Sequence, residues 1–95
     1  SYCIENLNLF TFKILIMQKR FLLTQTLIKL LGINQDDNIS IAQCAMIVNV
    51  ILRLKREKNL NSFMVRHECR ERTWFKDDSI TDDMLNELIL MTNTD

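Results

Sequence analysis

His67 and Cys69 stand two residues apart in Val65-Arg66-His67-Glu68-Cys69-Arg70, where a base and a thiol invite nucleophilic or metal chemistry. Neither chemistry is completed by the rest of the chain. An activated thiol needs its base held against it by a third group, and no nucleophile motif joins these residues. A zinc site needs four ligands in close-spaced pairs. The chain has one His and three cysteines, Cys3, Cys44 and Cys69, with no C-x-x-C pair. The thiols therefore read as small apolar residues in a reducing compartment. His67, among Arg66, Glu68 and Arg70, reads as a solvated surface side chain. The pairs Asp36-Asp37, Asp77-Asp78 and Asp82-Asp83 flank expected helix starts and lack the oxygen spacing of a calcium loop, so capping is their expected role. The chain's 1 Gly excludes a glycine-rich phosphate loop. Ser79, three residues before Asp82, fits acidic-directed phosphorylation, but helix capping is preferred. The expectation is no enzyme, no metal and no cofactor.

What remains is a binding pattern. The chain is neutral, with 12 basic and 12 acidic side chains, yet 8 of the 12 bases fall between Ile51 and Lys76. Residues 1–52 carry +1, residues 53–76 carry +5 (8 basic, 3 acidic), and residues 77–95 carry −6. Such asymmetry suggests a basic patch for an acidic partner, or an acidic tail folded back on that patch. Within the basic stretch, Lys55, Arg56 and Lys58 end one helix, and Leu60 and Phe63 lie just beyond. These five are the candidate partner-binding residues, the bases steering an acidic peptide and the apolar pair seating its anchor. A solvated helix face with pairs such as Glu68–Arg72 is the competing reading. DNA is disfavoured, because Glu57, Glu68 and Glu71 oppose phosphate neutralisation.

The elements that must position these residues are helical. With 0 Pro and 1 Gly, loops are short and built from Asn, Asp and Ser, which argues for an all-α domain. Residues 4–31 form one long helix or two with a joint near Gln18-Lys19-Arg20, Thr11 being a candidate cap. Phe10 to Ile14 also alternates like a strand, but a lone strand would have no partner. Gly32 ends the segment in the left-handed conformation, with Ile33 folding back onto Ile28. Ser40 and Gln43 are expected to form a capping box, with Ile39 stapled to Cys44. The stripe Ile41, Cys44, Ala45, Val48, Ile51 and Leu52 carries the next helix to about Lys58. Asn59 is its expected left-handed terminator, and Asn61 or Ser62 caps a helix over 62–75. That helix turns Phe63 and Met64 inward and brings Trp74 and Phe75 onto the core. The last helix, starting around Ser79 to Asp82, has Met84, Leu85, Leu88, Ile89 and Met91 as its apolar stripe, destined for the core or for a second copy.

Ninety-five residues make a single domain, 1–95, in which 77–95 is an acidic C-terminal helix or tail. The apolar run from Phe10 to Leu31 contains Lys13, Lys19, Arg20 and Lys29, too many charges for a membrane span. No signal peptide frames it. The chain opens at Ser1 without Met, so an excised fragment is expected; with neither span nor signal peptide expected, an intracellular protein is the expectation.

Leu27-Ile28-Lys29-Leu30-Leu31, a polar loop and Val48-Asn49-Val50-Ile51-Leu52-Arg53-Leu54-Lys55-Arg56-Glu57-Lys58-Asn59, followed by Trp74-Phe75-Lys76, resemble the N-terminal helical domain of the TFIIS and Elongin A family, to which the LEDGF integrase-binding domain is related. The resemblance covers about residues 22–76. The family's threonine-glycine segment before its basic helix is replaced here by Gln43-Cys44-Ala45. The resemblance implies a compact four- or five-helix right-handed bundle without enzymatic activity. It also implies a nuclear adaptor (cytoplasmic in the alternative) that holds acidic–apolar disordered motifs of transcription-elongation and chromatin factors. Carried over, it places the site at Lys55, Arg56, Lys58, Leu60 and Phe63. The acidic segment 77–85 is a candidate occupant of that site, in cis or from a neighbour. The alternative functions are a homo-oligomerisation domain pairing through its C-terminal helix and, more remotely, a nucleic-acid-binding helical domain. No membrane partner is expected.

Overall fold

The computed structural model describes residues 2–71 and 79–93; of residues 2–8 and 71 it describes the backbone alone. Among the described residues four helices follow one another: α1 (Tyr2–Leu31), α2 (Asn38–Arg56), α3 (Ser62–Glu71) and α4 (Asp82–Asn93). The fold is an all-α bundle, with no strand among the described residues. Trp74 and Phe75, expected on the core, lie outside the described residues, as do Asp77-Asp78 and the Glu68–Arg72 pair.

α1 is a single helix. Gln18, Lys19 and Arg20, the expected joint, are good helix formers with no Gly or Pro among them, so nothing stops propagation. Thr11 lies inside the helix and caps nothing. The hydroxyls of Thr24 and Thr26 donate to the carbonyls of Arg20 and Leu22, one turn back (2.8 and 2.9 Å). The helix ends as expected. Gly32 adopts φ +66°, its N–H donates to the Lys29 carbonyl, and the Ile33 N–H donates to the Ile28 carbonyl, both at 3.1 Å. This paired ending needs a left-handed residue at its turn, which glycine supplies without a Cβ clash.

The loop to α2 is organised by carboxylate and amide oxygens. Asn34 Oδ1 accepts from the Asp36 N–H at 3.2 Å. The cap of α2 is Asp37, three residues before the expected Ser40. Its Oδ1 accepts the Ser40 N–H at 3.1 Å and its Oδ2 accepts the Ser40 hydroxyl at 2.8 Å. A carboxylate has two oxygens for these donors, and its charge faces the positive helix end. Those bonds from Ser40 hold the Asp37 carboxyl below its ordinary pKa. With the helix starting a turn early, Ile39 falls within the helix and is exposed while Cys44 is buried, so the expected staple does not form.

α2 closes on Lys58, not on Asn59. Lys58 takes φ +62°, its N–H donates to the Lys55 carbonyl (3.1 Å), and Asn59 donates to Leu54 (3.0 Å). A left-handed L-residue costs about 1–2 kcal/mol. Lys58→Gly is therefore expected to raise the unfolding free energy by about 0.5–1 kcal/mol, the gain being partly offset by chain entropy. Urea denaturation checks this; an unchanged or lower midpoint would mean that the lysine side chain contributes more than its backbone strain. Asn61 then caps α3, its Oδ1 accepting the Met64 N–H at 2.8 Å. Thr81 rather than Ser79 caps α4, its hydroxyl accepting from the Met84 N–H at 3.2 Å.

The core gathers Leu23, Leu27 and Ile28 of α1, the α2 stripe from Cys44 to Leu54, Val65 and Cys69 of α3, and Ile80, Leu85 and Leu88. α2 is central and packs on α1, α3 and α4, while α4 also touches α1 and α3. By length and composition α2 could cross a membrane, but here six of its residues are buried in the bundle. On α3 the inward residues are Val65 and Cys69; Phe63 is 73% exposed and Met64 half-buried. Asn61 fixes the start of α3, and the four-residue step from 65 to 69 then lies beneath it. The Cys44 and Cys69 side chains are buried in the core, and burial pushes the Cys44 thiol above its ordinary pKa.

Candidate interaction surface

α1 is 30 residues long, about 45 Å at 1.5 Å per residue, and its described buried residues begin at Leu23. Leu9 to Leu22 therefore overhang the bundle with large apolar side chains exposed. Where this overhang passes the C-terminal half of α2, an open hollow of about 860 Å³ forms. Its apolar walls are Phe12 and Ile16 from α1 and Met46, Val50 and Leu52 from α2. Arg20, Arg53, Lys55 and Arg56 supply its charge, and among the described residues no carboxylate lines it. The i, i+4, i+8 spacing of Phe12, Ile16 and Arg20 puts all three on the α2-facing side.

The cations differ in what they already hold. Arg53 lies 3.0 Å from a Glu68 oxygen and 3.5 Å from one of Glu57. Hydrogen bonding to Glu68 raises its pKa further above the ordinary arginine value. It ties α2 to α3 while forming part of the hollow. Lys55 Nζ donates to Asn93 Oδ1 at the end of α4 (2.5 Å). Both Lys55 and Arg56 are exposed.

Of the five residues named from sequence, the structure places Lys55 and Arg56 on this hollow. Lys58 is exposed at the turn that ends α2. Leu60 is half-buried and packs against the core. Phe63 stands outward with its ring stacked on His67, centroids 6.2 Å apart and planes 7° from parallel. The corner from Lys58 to Phe63 thus offers an exposed ring, while the apolar concavity that Lys55 and Arg56 line is built with α1. Phe12, Ile16, Arg20 and Met46 were missed because their common surface exists only once α1 and α2 are packed. The only trace in sequence was the coincidence of apolar and basic residues in α1.

The C-terminal segment folds back on the basic stretch at Arg66 as well as at Lys55, the latter through Asn93. Asp82 Oδ1 meets Arg66 Nε at 2.5 Å, and a second Arg66 nitrogen donates to the Ile80 carbonyl at 2.5 Å. Leu85 and Leu88 are fully buried, which makes the α4 stripe core and leaves Leu90 as an exposed apolar residue on that helix. Among the described residues no cluster of three His, Cys, Asp or Glu side chains could hold a metal ion.

Fold and surface together define a small all-α domain with an apolar, cation-bearing hollow between its first two helices. Comparison with protein-family models, with curated proteins and with solved structures found no match.

Proposed function

We propose that this domain is a non-enzymatic protein-interaction module whose α1–α2 hollow holds a short acidic–apolar segment of another protein. One observation carries the reading: among the described residues, apolar walls from two helices and four cations line a single concavity with no carboxylate. Desolvated apolar anchors supply most of the affinity of such contacts, while charge steers encounter and excludes basic competitors. Interspersed glutamates beside the bases favour an acidic peptide over a nucleic-acid backbone, which requires many neutralised phosphates. The resemblance to elongation-factor domains extends the proposal to transcription or chromatin factors as partners and to the nucleus as location.

The test is the affinity of fluorescent peptides combining Asp or Glu with Phe or Leu, compared between the native chain and variants. Lys55→Glu with Arg56→Glu, and separately Met46→Asp, are expected to weaken binding at least tenfold with unchanged helical circular dichroism, since these side chains are exposed. Folded variants that bind as tightly as the native chain would remove the hollow as the site. Loss seen with Phe63→Ala alone would move the site to the α2–α3 corner.

A further inference from the structure

A second face of the overhanging helix points to a different partner. Phe10, Ile14, Met17 and Phe21 follow each other at steps of four, three and four, and are 63%, 38%, 66% and 63% exposed. At 100° per residue these four fall within a narrow stripe, roughly opposite Phe12 and Ile16 of the α1–α2 hollow. Met17 and Phe21, with Gln18 and Leu22, line a shallow apolar depression of about 440 Å³ there. Alternating four- and three-residue steps are the seam pattern by which one helix packs along another, each seam residue entering a hole on its partner. Read along the sequence, the same register runs back through Leu7 and Cys3.

The positions flanking such a seam set the choice of partner through ion pairs. Here they are Lys13 and Arg20 on one side and Thr11 and Gln18 on the other, all exposed. No Asp or Glu occurs between Glu5 and Asp36. A second copy of α1 running antiparallel would set Lys13 against Arg20, and a parallel copy would give these bases only glutamines. An acid-flanked helix satisfies both.

We infer that the exposed stripe of α1 is the docking face for an amphipathic partner helix with an apolar heptad seam and Glu or Asp opposite Lys13 and Arg20. The C-terminal third of α1 is fixed in the bundle and anchors the helix that carries the stripe. This pairing shares Arg20 with the α1–α2 hollow and no other residue.

The probes are two synthetic 28-residue helical peptides with the same leucine seam, one with Glu and one with Lys at the flanking positions. Both are titrated against the full chain by fluorescence anisotropy. The Glu peptide is expected to bind at least tenfold tighter than the Lys peptide. Lys13→Glu, which leaves the hollow native, should narrow that preference, adding Arg20→Glu should reverse it, and Met17→Ser with Phe21→Ser should abolish both. Lys55→Glu with Arg56→Glu should leave the Glu peptide bound, which separates this face from the hollow. Equal affinity for the two peptides would overturn the inference. So would a dimer of the native chain in sedimentation that Met17→Ser with Phe21→Ser makes monomeric, since a second copy would then own the face. Capture by anionic phospholipid vesicles that the same variant abolishes, with neither peptide bound, would assign it to a lipid surface instead.

Discussion

Leu88→Ala is expected to lower the unfolding free energy by about 2–5 kcal/mol, the range for emptying a fully buried leucine site. Leu88 is 0% exposed and belongs to the cluster that joins Leu23 and Leu27 of α1 to Ile47 and Ile51 of α2. A domain of this length has a total stability of about 5–14 kcal/mol, so one truncation removes a large share of it. The cost has two parts: the transfer of the lost methyl and methylene groups, and the cavity that helices crossing on three sides cannot collapse into. Leu90, two residues on, is 65% exposed, and Leu90→Ala should change stability by no more than about 0.5 kcal/mol. Urea denaturation of the two variants measures the contrast. Similar losses at both positions would mean that α4 does not sit on the bundle as described.

Arg66→Leu is expected to cost about 1.5–3 kcal/mol, the range for hydrogen bonds made by a charged group. The guanidinium joins α3 to the start of α4 through Asp82 and through the Ile80 carbonyl. These two contacts are unequal. The Asp82 side chain is 66% exposed, and an ion pair so open to solvent contributes about 0–1 kcal/mol. Ile80 is buried, and its carbonyl would lose a charged donor where water reaches poorly. Asp82→Asn should therefore cost much less than Arg66→Leu. Equal costs would assign the joint to the ion pair; a loss below about 0.5 kcal/mol at Arg66 would show that α4 is held by Leu85 and Leu88 alone.

Both effects follow from features of different legibility. The α4 stripe of Met84, Leu85, Leu88, Ile89 and Met91 was readable because helical spacing repeats locally. Its partner on α3 was not, because Arg66 and Asp82 are 16 residues apart and nothing in either neighbourhood names the other. The same division appears in the caps. Gly32 could be placed from sequence, since one residue type satisfies its φ. Asp37 displaced Ser40 and Lys58 displaced Asn59 because several neighbouring residues could do each task, and the packing of α2 chose the register. Phe63 was assigned inward from its type, yet the start of α3 put Val65 and Cys69 beneath the helix.

By itself the sequence determined the all-α class, the break at the Gly32 to Asp37 loop, a turn near Lys58 to Asn61, and the concentration of bases around Lys55 and Arg56. Composition, periodicity and capping chemistry act over a few residues, so a single chain segment carries them in full. The tertiary structure alone decided that Leu9 to Leu22 overhang the bundle, that Phe12 and Ile16 share a hollow with Met46 and Arg56, and that the Phe10–Phe21 stripe is left uncovered. A concave or exposed surface is a relation between helices. Its residues become neighbours only when the burial of Leu23, Leu27, Ile47 and Ile51 fixes how α1 lies across α2.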